Sequence, residues 1–187
     1  CGNDWKKFVM RLSHLLITGL LLAACETSKQ EEKRLFDSKQ FFAQQITALN
    51  QQKPTLQKHV CYNNLSDSLV TNKDINWEKE LRLFSEFDLA KPTNSKLFKV
   101  ETTFAENEMV ITYSAIDSTQ RIKHVLIQLN KQHQVKTVTF NTSQKTNLFG
   151  SAQQLRYVVD SGFSIHTQQQ TQLAEDALYK INCKFIP

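Results

Sequence analysis

The run Ala177-Leu178-Tyr179-Lys180-Ile181-Asn182-Cys183-Lys184-Phe185-Ile186 decides the fold. Ala177, Tyr179, Ile181, Cys183 and Phe185 alternate with Lys180, Asn182 and Lys184, the two-residue period of a strand with one face buried and one in water. Working back along the chain, strand patterns recur near 96–105, 109–117, 121–130, 134–142, 152–160 and 163–172. Turn-forming residues separate them: Glu106-Asn107, Asp117-Ser118, Asn130-Lys131, Asn147, Asp160-Ser161-Gly162 and Glu175-Asp176. Connections this short require antiparallel neighbours, because a parallel pair needs a long crossover. Upstream, 55–62 and 65–70 read as a short hairpin joined at Asn63-Asn64.

Two helices precede or interrupt these strands. Residues 37–52 place Phe41, Phe42, Ile46 and Leu49 on one face, with Asp37 or Ser38 to cap the start and Pro54 to stop it. Asp74 is placed to cap a second helix over about 76–89. There Trp77, Leu81 and Phe84 recur at helical spacing and Glu78, Lys79, Glu80 and Arg82 face water. The expected fold class is α+β. It is an antiparallel β-meander of about seven strands plus a short N-terminal hairpin, with one face covered by the two helices, in a single domain over 37–187.

The start of the chain has a different character. Residues 5–14 are basic (Lys6, Lys7, Arg11) and residues 15–24, Leu-Leu-Ile-Thr-Gly-Leu-Leu-Leu-Ala-Ala, are apolar. Ten apolar residues are about half of the roughly 20 that span a bilayer, so this reads as a secretory leader and not a membrane span. Leu22-Ala23-Ala24-Cys25 closely resembles the lipobox of bacterial lipoproteins. The resemblance implies a signal peptide over 1–24, cleavage before Cys25, a diacylglyceryl group on its thiol and acylation (palmitate or a similar chain) of the new amino group. The anchor then places the chain on the membrane of the cell envelope, with the outer membrane expected. Chains with two or three acyl groups anchor stably, whereas one gives only marginal binding. Met10-Arg11 would begin a compact leader of its own, and residues 1–9 read as sequence upstream of the true start.

Residues 25–36 read as the lipidated cysteine and a flexible polar tether. Within it, Lys29-Gln30-Glu31-Glu32 resembles the acidic export signal of surface lipoproteins in Bacteroidota; the periplasmic and surface faces both remain open. A second resemblance spans most of the mature chain. Asp74-Ile-Asn-Trp-Glu-Lys-Glu-Leu81, Leu155-Arg-Tyr157 and Asp160-Ser-Gly-Phe-Ser-Ile165 are similar to small uncharacterised lipoproteins of Bacteroidota. It implies fold and address, and no activity.

Composition removes several function classes. The whole chain carries a net charge of +5. The leader accounts for three basic residues and one acidic, leaving a mature net charge of +3 in scattered single or paired cations. No Lys/Arg-rich run marks a nucleic-acid footprint, so no nucleic-acid partner is expected. Only Gly150 and Gly162 of the four glycines lie past the leader. A phosphate-cradling loop needs several glycines close together, so P-loop and dinucleotide sites, and any cofactor held by them, are not expected.

No catalytic or metal site can be assembled from spacing alone. His59, His124, His133 and His166 contain no pair three or four apart, so no helix-borne zinc pair exists. Gly150-Ser151 lacks the second glycine of a nucleophile elbow, and Glu78 with Arg82 reads as an i,i+4 surface pair. Cys61 and Cys183 invite a disulfide in an exported chain. Alternation, however, places Cys61 with Gln57 and His59 on a polar face and Cys183 on an apolar one. A bonded pair, or one buried and one partly exposed thiol, both remain open. Phe41, Phe42, Trp77, Phe84 and Phe87 read as core, or as the lining of a ligand pocket. The polar run His166-Thr-Gln-Gln-Gln-Thr-Gln172 reads as an edge or strongly exposed strand, to which an envelope protein's strand could add. The leading expectation is therefore a non-enzymatic binding or accessory module. A carrier of a hydrophobic ligand held between sheet and helices is the alternative, and a hydrolase with a site assembled only on folding is a third.

Overall fold

The computed structural model describes residues 35–105, 108–172 and 175–187. The leader, Cys25, the tether to residue 34 and the Glu106-Asn107 turn lie outside the described residues.

The order of elements is α1 (Ser38–Gln52), β1 (Thr55–Tyr62), β2 (Leu65–Thr71), α2 (Trp77–Glu80), α3 (Arg82–Ser85), then β3 (Phe98–Ala105), β4 (Glu108–Ala115), β5 (Ile122–Leu129), β6 (Val135–Lys145), β7 (Phe149–Val158), β8 (Gly162–Thr171) and β9 (Ala177–Ile186), with a 3-10 turn at Pro92–Asn94 before β3. The strands form one open, antiparallel, nine-stranded sheet in the order β2-β1-β9-β8-β7-β6-β5-β4-β3. The molecule is mostly β, with little helix beyond α1.

The hairpin β1–β2 does not stand apart from the meander. β1 pairs along its whole length with β9, Thr55 opposite Ile186 and Tyr62 opposite Tyr179. The turn between β1 and β2 fixes this register: Asn63, at φ 48°, takes the Leu178 N–H on its side-chain oxygen at 2.8 Å and donates its own N–H to the Leu178 carbonyl. A left-handed φ is tolerated by asparagine far better than by most residues.

Helix α1 forms where its periodicity places it. Asp37 accepts the Gln40 N–H at 2.8 Å, satisfying one orphan donor of the first turn. At the other end Lys53 adopts a left-handed conformation, its N–H closing on the Leu49 carbonyl, and Pro54 follows. Ser38 does not cap. It is fully buried, its hydroxyl donating to the Phe87 carbonyl and accepting the Leu89 N–H at 3.2 Å. It ties the start of α1 to the distant 87–89 segment.

The expected helix over 76–89 is replaced by two four-residue helices, broken at Leu81. Asn76, not Asp74, supplies the cap, accepting the Lys79 N–H at 2.9 Å. Topology explains the change. β2 and β3 are opposite edges of the nine-stranded sheet, about 38 Å apart at roughly 4.8 Å per strand gap. The linking chain must cross that width, and a helix over the expected span would advance only about 21 Å. Instead the chain lays one aromatic residue after another across the apolar face. Trp77 meets Phe185 of β9, Phe84 meets Phe163 of β8, and Phe87 stacks on Phe140 of β6, with ring centroids 5.4, 5.7 and 4.9 Å apart.

Phe42 of α1 sits at the middle of this layer, within ring contact of Phe41, Phe84, Phe140 and Tyr157. Burial and the Asp160 charge hold the Tyr157 phenol well above its ordinary pKa, so it stays neutral and donates to Gln45 Oε1 at 2.9 Å. Every ring contact and hydrogen bond that the helical segments make with the strands is to this face; among the described residues no helix packs on the other.

The polar run at 166–172 is not an edge. β8 is central, paired with β7 on one side and β9 on the other. Two of its polar side chains find partners nearby: Gln153 Nε2 of β7 donates to Thr167 Oγ1 at 2.9 Å, and Gln170 Nε2 to Asp176 Oδ2, just before β9, at 3.3 Å. The bare edges are β2, exposed along nearly its whole length, and β3.

Candidate functional site

Strand register assembles the polar residues of the second face into rows that cross the sheet. One row runs Ser68, His59, Asn182, Ser164, Arg156, Thr139 across β2, β1, β9, β8, β7 and β6. The next runs Ser66, Cys61, Lys180, His166, Gln154, Asn141 across the same strands. Residues far apart in sequence thus become neighbours at about 4.5–5.5 Å between Cβ atoms.

Two constellations stand out on this face. The first joins both rows. His59 Nδ1 lies 2.7 Å from Ser68 Oγ, and His59 Nε2 lies 3.2 Å from Cys61 Sγ. In the tautomer whose Nδ1–H donates to Ser68, Nε2 is left to accept the thiol proton, the relation a nucleophile has to its base and that base to its orienting group. The cluster is open to solvent, without the surrounding walls that bind a substrate.

The second is a shallow depression of about 380 Å³, at the small end of ligand-site volumes. Arg156, Asn182, Lys184, Ser161 and Ser164 bring a guanidinium, an amide, an ammonium and two hydroxyls to it, and Gly162 lies among them without a side chain. Among the described residues the side chains of Arg156, Lys180 and Lys184 have no ion-pair or hydrogen-bond partner. By contrast Lys58 on the helix-covered face pairs with Glu80 at 2.8 Å, and Lys99 and Lys136 pair with Glu101 and Glu108 at 2.6 Å. Separately, Tyr62, Leu65, Leu69 and Tyr179 are exposed apolar residues on the helix-covered side of β1, β2 and β9, the two tyrosine rings 4.7 Å apart.

Of the sequence-derived site residues, Cys25 lies outside the described region. Cys61 and Cys183 are both free thiols. Cys61 opposes Lys180 and Cys183 opposes Lys58, three residues along the same pair of strands, so the two thiols lie on opposite faces and no disulfide joins them. Burial pushes the Cys183 thiol pKa up to about 12. Alkylation of the folded chain followed by peptide mapping is expected to modify Cys61 and to leave Cys183 unmodified until denaturant is added. A cross-linked Cys61–Cys183 peptide in a non-reducing digest would contradict this.

His124 reaches Ser114 Oγ at 3.2 Å. His124 and His166 share a row but are separated by β6 and β7, about 14 Å. Among the described residues no group of three or more His, Cys, Asp or Glu side chains is placed to hold a metal ion, and no helix is long and apolar enough to cross a membrane. The Ser68–His59–Cys61 cluster and the Arg156 depression escaped sequence reasoning, because each depends on register between distant strands. The only local signal was the i,i+2 spacing of His59 and Cys61. The chain matches no protein-family model, no curated protein and no solved structure.

Proposed function

We propose that the chain is a lipid-anchored lipoprotein of the cell envelope, cut before Cys25, whose folded domain is a non-enzymatic binding or accessory module. The observation that carries the anchor is Leu22-Ala23-Ala24-Cys25 placed directly after a basic segment and a short apolar one. Binding in place of catalysis is favoured by the asymmetry of the sheet. One face is filled by the interlayer rings of Phe42, Phe84, Phe87 and Trp77, which leaves little room for a carried ligand. The other presents rows of amides, hydroxyls and cations to solvent, with Arg156, Lys180 and Lys184 among them. The β2 edge offers unpaired backbone groups beside the exposed Tyr62, Leu65, Leu69 and Tyr179, a suitable place for a partner protein's strand.

Cys25→Ser tests the reading. The substituted precursor is expected to lose lipoprotein-type cleavage and acylation in cells. A variant that was still acylated and processed like the wild type would refute it.

A further inference from the structure

The outward side chains of β9 follow a pattern that the core does not require: Leu178, Lys180, Asn182, Lys184, Ile186. Two cations are bracketed by two exposed aliphatics, Leu178 at 39% and Ile186 at 42%. Across β1, Lys184 is followed in its row by Gln57 and then by Val70, itself 62% exposed. On the other side lies the depression with Arg156, two strands from β9. Strands β1, β6, β7, β8 and β9 contain no acidic residue at all. The acids nearest in the chain are Asp67, on the opposite face of β2, Asp160 in the β7–β8 turn, whose charge acts on the inward Tyr157, and Glu175 and Asp176 just before β9, the second engaged by Gln170. The result is a flat cationic surface studded with aliphatic side chains and dimpled at Gly162.

We infer that this face docks on an anionic phospholipid surface. Arg156 and Lys184 hold a headgroup phosphate in the depression, with Asn182 and Ser164 as further donors, while Leu178, Ile186 and Val70 enter the headgroup boundary. A guanidinium matches phosphate oxygens in bidentate fashion and an ammonium supplies a point charge. Exposed aliphatics beside cations suit a membrane interface, and free phosphate would make no use of them. The choice of occupant rests on the anchor reading. Only twelve residues separate Cys25 from α1, so an acylated Cys25 would hold the domain at high effective concentration beside the lipid.

The test uses the full chain carrying Cys25→Ser, so that no acyl group contributes, with and without Arg156→Ser and Lys184→Ser. Both substituted residues are exposed, and circular dichroism checks that the sheet is retained. The leader is common to both chains. Binding to phosphatidylglycerol vesicles at low salt is expected to weaken about 30-fold on removing the two cations, and to fall further as salt is added. Binding to phosphatidylcholine vesicles is expected to be weak and unchanged by the substitutions. Equal binding of the two chains to phosphatidylglycerol would overturn the inference, as would full displacement from vesicles by inorganic phosphate at matched ionic strength, which would make the depression a free-phosphate site. Either failure leaves the Cys25 anchor standing, since acylation of the wild type in cells is a separate readout.

Discussion

Phe42→Ala is expected to destabilise the domain by about 3–5 kcal/mol, the range for removing a fully buried phenylalanine. Phe42 is 0% exposed, and its ring touches rings from α1 itself, from α3, from β6 and from β7. Removing it opens a cavity where the helix, the crossing segment and the sheet meet. None of these neighbours can collapse inward without breaking another contact: Tyr157 is held by Gln45, and the crossing segment is tied to α1 through Ser38. At roughly 2–4 °C per kcal/mol for a chain of this size, thermal unfolding is expected to drop by about 10–15 °C. A fall of only one or two degrees would mean that the interlayer is less tightly filled than described.

Gly162→Ala is expected to cost about 3 kcal/mol or more, combining overpacking with backbone strain. Gly162 opens β8 at φ +146°, a conformation that side-chain-bearing residues rarely adopt, and a Cβ there would lie 2.0 Å from the Cys183 carbonyl oxygen on β9. Backbone atoms cannot rotate away as a side chain can, so the β8–β9 ladder itself would have to part. Gly150→Ala is the control: its Cβ would meet only the Gln170 side chain at 3.8 Å, an ordinary contact, and little change is expected. Chemical denaturation of both variants beside the wild type separates the two cases. Equal midpoints for all three would contradict the close approach at Gly162.

These two positions also mark the limits of what the sequence discloses. Phe42 was legible, because an apolar stripe at helical spacing behind an Asp37 cap is a local signal. The alternation in β9 was legible for the same reason, and so were the turns at Asn63-Asn64 and Asp160-Ser161-Gly162. The close approach at Gly162 depends on which strand lies beside β8, and that is a long-range fact. The pairing of β1 with β9 likewise had no local signature. Once it is in place, β2 and β3 become opposite edges, and the second helix has to break in order to cross between them. The polar run in β8 misled because polarity on both faces imitates an edge, yet β8 is paired along both sides, with β7 and with β9. Ser38 read as an alternative cap by residue type, but Asp37 caps the helix, and the burial of Ser38 against Phe87 and Leu89 is set by the path of the crossing chain. The Cys61–His59–Ser68 cluster needed the β1–β2 register, and the Arg156 depression needed that of β7, β8 and β9.

The mass of the N-terminal peptide of the mature protein, taken from the membrane fraction, tests the central claim most directly. A peptide beginning at Cys25, with a diacylglyceryl group on sulfur and an acyl group on its amine, is the predicted result. A mature protein that begins elsewhere, or that carries an unmodified thiol at Cys25, would contradict it.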